Sequence, residues 1–191
     1  MHPPKLVALC GSARHSSLNQ AVLDTATAAA IEAGASVTRV PWVDYPLPLF
    51  NQDLESEEGL PDAVRKLKSI LREADGFLIA SPEHNSGYSA LLKNAIDWCS
   101  RAEGEDEAPL SAFAGKTAVL FAASPGALGG LRGLFALREL LQNLRITVFA
   151  DQLAIRTAHE AISEGVVTDI KWASQIAKLT ERYVEFASRL S

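Results

Sequence analysis

A chain of 191 residues, 48% hydrophobic and 21% charged, holds enough apolar material for one domain with a full core and too much to stay disordered. Its net charge of −5 argues against nucleic acid or an anionic membrane as the main partner, so any phosphate-bearing ligand must be held by a local site. The chain shows neither a signal-peptide pattern nor an apolar run of membrane-spanning length, and a cytoplasmic location is the expectation.

Lys5–Cys10 is an apolar run and reads as the first strand. A polar loop, Gly11 to Ser17, follows it. Leu18, Val22, Ala26 and Ala29 then recur at helical spacing on a segment that ends near Gly34. Val37–Val40 gives a short second strand. From Asp44 to Leu54 the prolines forbid regular structure, yet the aromatic and aliphatic side chains there predict packing over something. Pro61 opens a helix with Val64, Leu67, Leu71 and Ala74 as its buried stripe.

Gly76–Ala80 is the third strand. A polar turn with Pro82, Asn85 and Gly87 leads from it into a helix from about Tyr88, and the acidic stretch from Arg101 to Pro109 reads as an exposed connection. Thr117–Ala122 is the fourth strand. A small-residue loop, Ser124 to Gly130, and a leucine-rich helix from about Leu131 to Leu144 come next. Ile146–Phe149 is the fifth strand. The last helix starts near Val167, with Ile170, Ala173, Ala177, Thr180 and Val184 on one face. Cys10 and Cys99 are far apart, form no metal spacing and lie in apolar runs, so both read as packing residues.

Five strands alternate with five helices, without an internal repeat or a linker, which predicts a single α/β domain over residues 1–191. Right-handed crossovers and a switch point between strands 1 and 3 give the flavodoxin-like three-layer sandwich, a parallel sheet of order 2-1-3-4-5. In that order the loops after strands 1, 3 and 4 converge on one edge, where ligands of open α/β sheets bind.

The first of these loops offers hydroxyls, Arg14 and backbone donors ahead of a helix, a set that suits a phosphate. It reads equally well as an ordinary capped helix start. It is not a dinucleotide fingerprint, because the later glycines of G-x-G-x-x-G are missing. Gly115-Lys116-Thr117 is not a P-loop either, since Leu110 stands where glycine is needed and a strand follows.

Three segments together resemble the NADPH-dependent FMN reductase family. Pro82-Glu83-His84-Asn85 and Leu92-Lys93-Asn94-Ala95-Ile96-Asp97-Trp98 resemble its PEYN…LKNAIDW signature, with His84 in the usual Tyr position. Gly11, Ser12, Arg14, Ser17 and Asn19 match its G-S-x-R-x-x-S-x-N pattern, and Ser124 to Gly130 its S-P-G-x-x-G-G segment. The resemblance runs from about Lys5 to Phe149. It implies an FMN phosphate held at Ser12, Arg14, Ser17, Leu18 and Asn19. It implies a flavin ring along Pro82, Glu83, His84, Asn85 and Ser86, closed at its pyrimidine end by Ser124, Pro125, Gly126 and Gly129. No metal is expected.

Alternatives stand beside these roles. Glu83 reads also as a surface or helix-approach carboxylate. His84 is either a proton donor or the occupant of the aromatic slot. Lys93 and Asp97 read as surface or interface residues, and Trp98 as packing. The implied activity is hydride transfer from NADPH or NADH through FMN, by a ping-pong cycle, to a quinone, azo compound, metal oxyanion or free flavin, in a homodimer or homotetramer. The rival is a flavodoxin-like electron carrier or a non-catalytic flavin-binding protein. Flavodoxins carry a Thr-rich first loop, which Ser12, Arg14 and Ser17 do not match.

Overall fold

The computed structural model describes residues 2–190. Strands β1 (Lys5–Cys10), β2 (Ser36–Arg39), β3 (Gly76–Ala80), β4 (Thr117–Ala123) and β5 (Thr147–Ile155) form one sheet in the order β2-β1-β3-β4-β5, every pair parallel. The expected order is the observed one. β3 and β4 are buried along their whole length, because helices cover both faces and leave no position for a polar side chain.

Alternate residues serve opposite cores. Leu6, Ala8, Cys10, Leu78, Val119 and Phe121 pack beneath α1 (Leu18–Glu32) and α7 (Ile170–Ser188). Val7, Leu9, Phe77, Ile79, Ala118 and Leu120 pack beneath α3 (Asp62–Glu73), α4 (Ala90–Cys99) and α5 (Leu131–Asn143). Among the described residues no helix is long and apolar enough to cross a membrane.

Several expectations need correction. The segment from Asp44 to Leu54 is not irregular throughout. Trp42–Asp44 forms a 3-10 turn and Gln52–Glu58 a short helix, α2, which starts once the prolines are passed: the Asn51 side chain accepts from Asp53 N at 2.8 Å and caps it. This segment does pack, as its apolar side chains require. Phe50 meets Trp98 edge-on at 4.9 Å, and the Pro48 carbonyl accepts from Trp98 Nε1 at 2.8 Å and from Asn94 Nδ2 at 2.9 Å. The sequence gives α4 two apolar sides, Leu91, Ala95 and Trp98 beside Leu92, Ile96 and Cys99, and this segment covers Trp98 within the chain.

β5 runs past Phe149 to Ile155. The register slips between Ala118 and Leu120 of β4, and the Arg138 guanidinium donates to the Phe149 carbonyl at 2.9 Å, within the irregular stretch, and to the Gln152 side chain. Beyond it lie a four-residue helix, α6 (Ala158–Ala161), and a hairpin of β6 (Ile162–Ser163) and β7 (Val166–Val167), none of which the apolar periodicity signals. The buried face of α7 is Ile176, Leu179, Thr180, Tyr183, Val184 and Ala187, while Ile170 is exposed, because the helix starts three residues later than the pattern suggests and its first turn overhangs the sheet.

Tyr183 fixes the lower edge of the sheet. Its hydroxyl accepts from Phe77 N at 3.0 Å and sits 2.9 Å from Thr117 Oγ1, and complete burial raises its pKa. Tyr183→Phe removes this acceptor from Phe77 N and the contact with Thr117 Oγ1 at a buried site, and is expected to cost about 1 kcal/mol in denaturant unfolding. An unchanged midpoint would remove that bond from the account.

Candidate functional site

The carboxyl ends of β1, β3 and β4 are joined to one another before any ligand is considered. Gly11 N donates to the Ala80 carbonyl at 2.7 Å and Ser81 N to the Phe121 carbonyl at 2.9 Å. Asn19, on the first turn of α1, donates from Nδ2 to the Ala123 carbonyl at 3.0 Å and accepts from Ala123 N at 2.9 Å. A buried amide bonded on both sides ties the first loop to the end of β4. The first and second loops also press together. A Cβ on Gly11 would lie 2.9 Å from Ser89 Oγ and 3.1 Å from Pro82 Cδ, so glycine is required there by close approach.

Between the three loops lies a cleft of about 530 Å3, within the usual range for a cofactor site. Ser12, Arg14, Ser17, Leu18 and Asn19 line it from the first loop, Pro82, Glu83 and His84 from the second, and Ser124 and Pro125 from the third. Asn85 and Ser86 do not line it. They occupy the tip of a two-residue turn, both at positive φ, closed by His84 N to the Gly87 carbonyl at 2.9 Å and Gly87 N to the His84 carbonyl at 3.0 Å. Gly126 and Gly129 also stand back from the lining. Gly129 packs on the backbone of β5, where a Cβ would come within 2.6 Å of Ile155 C and Arg156 N.

At the first loop, Ser17 caps α1 by accepting from Gln20 N at 3.2 Å, which leaves the leading N–H groups of Leu18 and Asn19 without intrahelical acceptors. Arg14 is exposed; its Nη2 donates to the Ser16 carbonyl at 3.0 Å, and it has no carboxylate partner among the described residues. A cation, open backbone donors and the positive end of a helix dipole meet at one corner of the cleft.

Glu83 turns out to be a structural clasp. Its carboxylate accepts from Arg132 Nε at 2.8 Å, and from the backbone N–H of Arg132 at 3.1 Å and of Gly133 at 3.2 Å. It therefore caps α5 from another loop. Burial alone would push its pKa up, but the hydrogen bonds from Arg132 and Gly133 and the Arg132 charge outweigh burial and hold it below the usual carboxylate value. His84 presents an exposed side chain to the cleft. Lys93 and Asp97 bond each other at 2.6 Å along α4, and Trp98 is fully buried, as expected of packing.

Sequence reasoning missed Ser89, Ala90, Leu91 and Ala123 as cleft residues, and Trp42, whose Nε1 donates to the Cys10 carbonyl at 2.5 Å and braces the start of the first loop. Ser89 was discoverable, since a serine ahead of an apolar run is a cap signal, and its Oγ accepts from Leu92 N at 3.2 Å. For Trp42 the sequence carries no signal.

Residues 4–160 match the NADPH-dependent FMN reductase family. The chain belongs to this family. It is 37% identical over 137 residues to the quinone reductase of Escherichia coli K12, an alignment spanning 72% of this chain and 69% of that one. An NAD(P)H-dependent FMN reductase of Pseudomonas aeruginosa is 36% identical over the same shares. The fold superposes on FerB, a flavoenzyme NAD(P)H:(acceptor) oxidoreductase of Paracoccus denitrificans, with a TM-score of 0.82 at 26% identity, covering 97% of this chain and 98% of that one. The family is one of oxidoreductases, and the matched span contains all three loops of the cleft.

Proposed function

We propose that the chain, as one domain, is an FMN-dependent NAD(P)H oxidoreductase that uses the three-loop cleft. The observation that carries this reading is the corner at the start of α1, where Arg14, the leading N–H groups of the helix and the hydroxyl of Ser12 converge in an otherwise acidic protein. That donor set fits a phosphate. Arg14, Ser12 and the helix start would hold the phosphate of FMN, Pro82 and His84 would lie along its ring, and Ser124 and Pro125 would close its far end. FMN, when bound, supplies hydride transfer from NADPH or NADH to an acceptor: a quinone, azo compound, metal oxyanion or free flavin.

The residues of this chain orient the cofactor. The N–H groups of His84 and Gly87 are used inside their turn, so contacts from the second loop fall to its other backbone donors. The cleft lining includes no cysteine and no nucleophile–base pair, which suits a protein that positions a cofactor and leaves the bond-making to it. Donor and acceptor would then use one place in turn. Varied NAD(P)H and acceptor should give parallel double-reciprocal lines, and intersecting lines would exclude the shared place. His84→Tyr, with FMN still bound, should change the maximal rate within roughly tenfold, below the 10²–10⁴ typical of losing a general acid–base residue. A thousandfold loss would make His84 a proton donor.

A cytoplasmic homodimer or homotetramer completes the proposal. Exposed large apolar side chains include Phe135 on α5, 58% exposed, and Leu128 just before it, 51%. Sedimentation of the wild type at micromolar concentration should show at least a dimer, and Phe135→Glu should shift it toward monomer. A monomeric wild type would contradict this.

A further inference from the structure

Glu83 lies between Pro82 and His84, the two residues placed along the flavin ring, and it lines the same cleft. Its side chain is only 9% exposed, so water screens its charge poorly. The Arg132 side chain is 58% exposed and stands outside the cleft lining. Its Nε and Nη2 both donate to Glu83 Oε1, while the backbone N–H groups of Arg132 and Gly133 hold Oε2. Gly133 permits this fit. A Cβ there would lie 2.9 Å from the Gly87 carbonyl oxygen and 3.3 Å from Glu83 Cα, so the second loop rests directly on the first turn of α5.

We infer that Arg132 tunes the bound flavin: its guanidinium neutralises the Glu83 carboxylate beside the ring and thereby favours the reduced cofactor. The inference rests on the FMN reading of the cleft and extends it to a residue outside the lining. Hydride arrival brings two electrons and one proton, so it adds one negative charge to the ring. An unpaired carboxylate nearby opposes that charge, and charge close to the ring is one means by which a protein sets flavin electronics. Burial pushes the Glu83 pKa up, but the hydrogen bonds from Arg132 and Gly133 outweigh it, so the carboxyl is ionised. Capping α5 needs only the backbone bonds to Glu83. The guanidinium adds the charge balance.

The test reads the midpoint potential of the FMN-loaded chain against a reference dye, at about pH 8, well above the carboxylate range. The flavin-free chain is titrated alongside with oxidised and with reduced FMN. Arg132→Met leaves the backbone bonds to Glu83 and removes the countercharge. It should weaken reduced FMN relative to oxidised FMN by about tenfold, which lowers a two-electron potential by about 30 mV. Glu83→Gln should move the ratio the other way. Arg132→Lys keeps the charge, and Arg132→Met with Glu83→Gln removes both charges. Each should stay within about threefold of the wild-type ratio. An unchanged potential in Arg132→Met would overturn the inference. So would equal weakening of oxidised and reduced FMN, or the same shift in Arg132→Lys as in Arg132→Met, since either makes the clasp purely structural. Failure of the wild type to bind FMN would instead strike the cofactor assignment.

Discussion

Lys68→Met is expected to lower the unfolding free energy by about 3–5 kcal/mol, the cost of leaving a buried charge without its partner. Lys68 is 1% exposed, and its ammonium donates to the Arg101 carbonyl at 2.5 Å and to Glu107 Oε2 at 2.6 Å, with Glu103 3.6 Å away. Glu107 in turn accepts from Ser111 Oγ and from Glu103 N. Methionine keeps the stem and removes the charge, so Glu107 loses the group that justifies its burial. Against a typical total of about 5–15 kcal/mol, this is a large fraction. Lys68→Met with Glu107→Gln should recover part of the loss, because no unpaired charge is then buried. Equal denaturation midpoints for wild type and Lys68→Met would show that the network contributes nothing net.

The same cluster sets an acid limit. Burial pushes the Glu107 pKa up, but hydrogen bonds from Lys68, Ser111 and Glu103 N and the Lys68 charge together bring it to about 2, below its ordinary 4.5. A depressed carboxylate stabilises the fold above its unfolded pKa and loses that contribution as pH falls through the folded one. Up to about 3 kcal/mol should therefore disappear between roughly pH 4.5 and 2 in the wild type. Lys68→Met should show a shallower loss over that window.

Arg14→Ala is expected to weaken FMN binding tenfold or more while riboflavin binding changes little. A charge-assisted hydrogen bond to phosphate contributes about 1.5–3 kcal/mol, and Arg14 is the cation of the first loop, with only the Ser16 carbonyl as partner. Titration of the flavin-free variant with both ligands checks it. Equal losses for FMN and riboflavin would remove the phosphate from this corner, and the loss for FMN should shrink at high salt.

The five sheet strands, their parallel order and the convergence of three loops could be read directly from the chain, since strand burial on two faces leaves continuous apolar runs and handedness leaves few ways to connect them. Ser12, Arg14, Pro82 and Ser124 line the cleft for the same reason: a motif at a strand end in a known order has a known place. Asn85, Ser86, Gly126 and Gly129 share those motifs yet stand outside the lining, because a turn at positive φ and a glycine packed on backbone are shaped by their neighbours. Glu83 needed the tertiary structure altogether. Nothing near it in sequence shows that its carboxylate caps a helix 49 residues away.

Lys68 lay on the apolar stripe of α3 in plain view, four residues after Val64, but its partner is an acidic loop that composition assigns to solvent. Local periodicity and motif spacing determined the elements and the edge of the sheet where the site lies. Long-range polar pairing decided which side chains hold that edge together, and which donors remain open, because hydrogen bonds between segments far apart leave no period in the sequence.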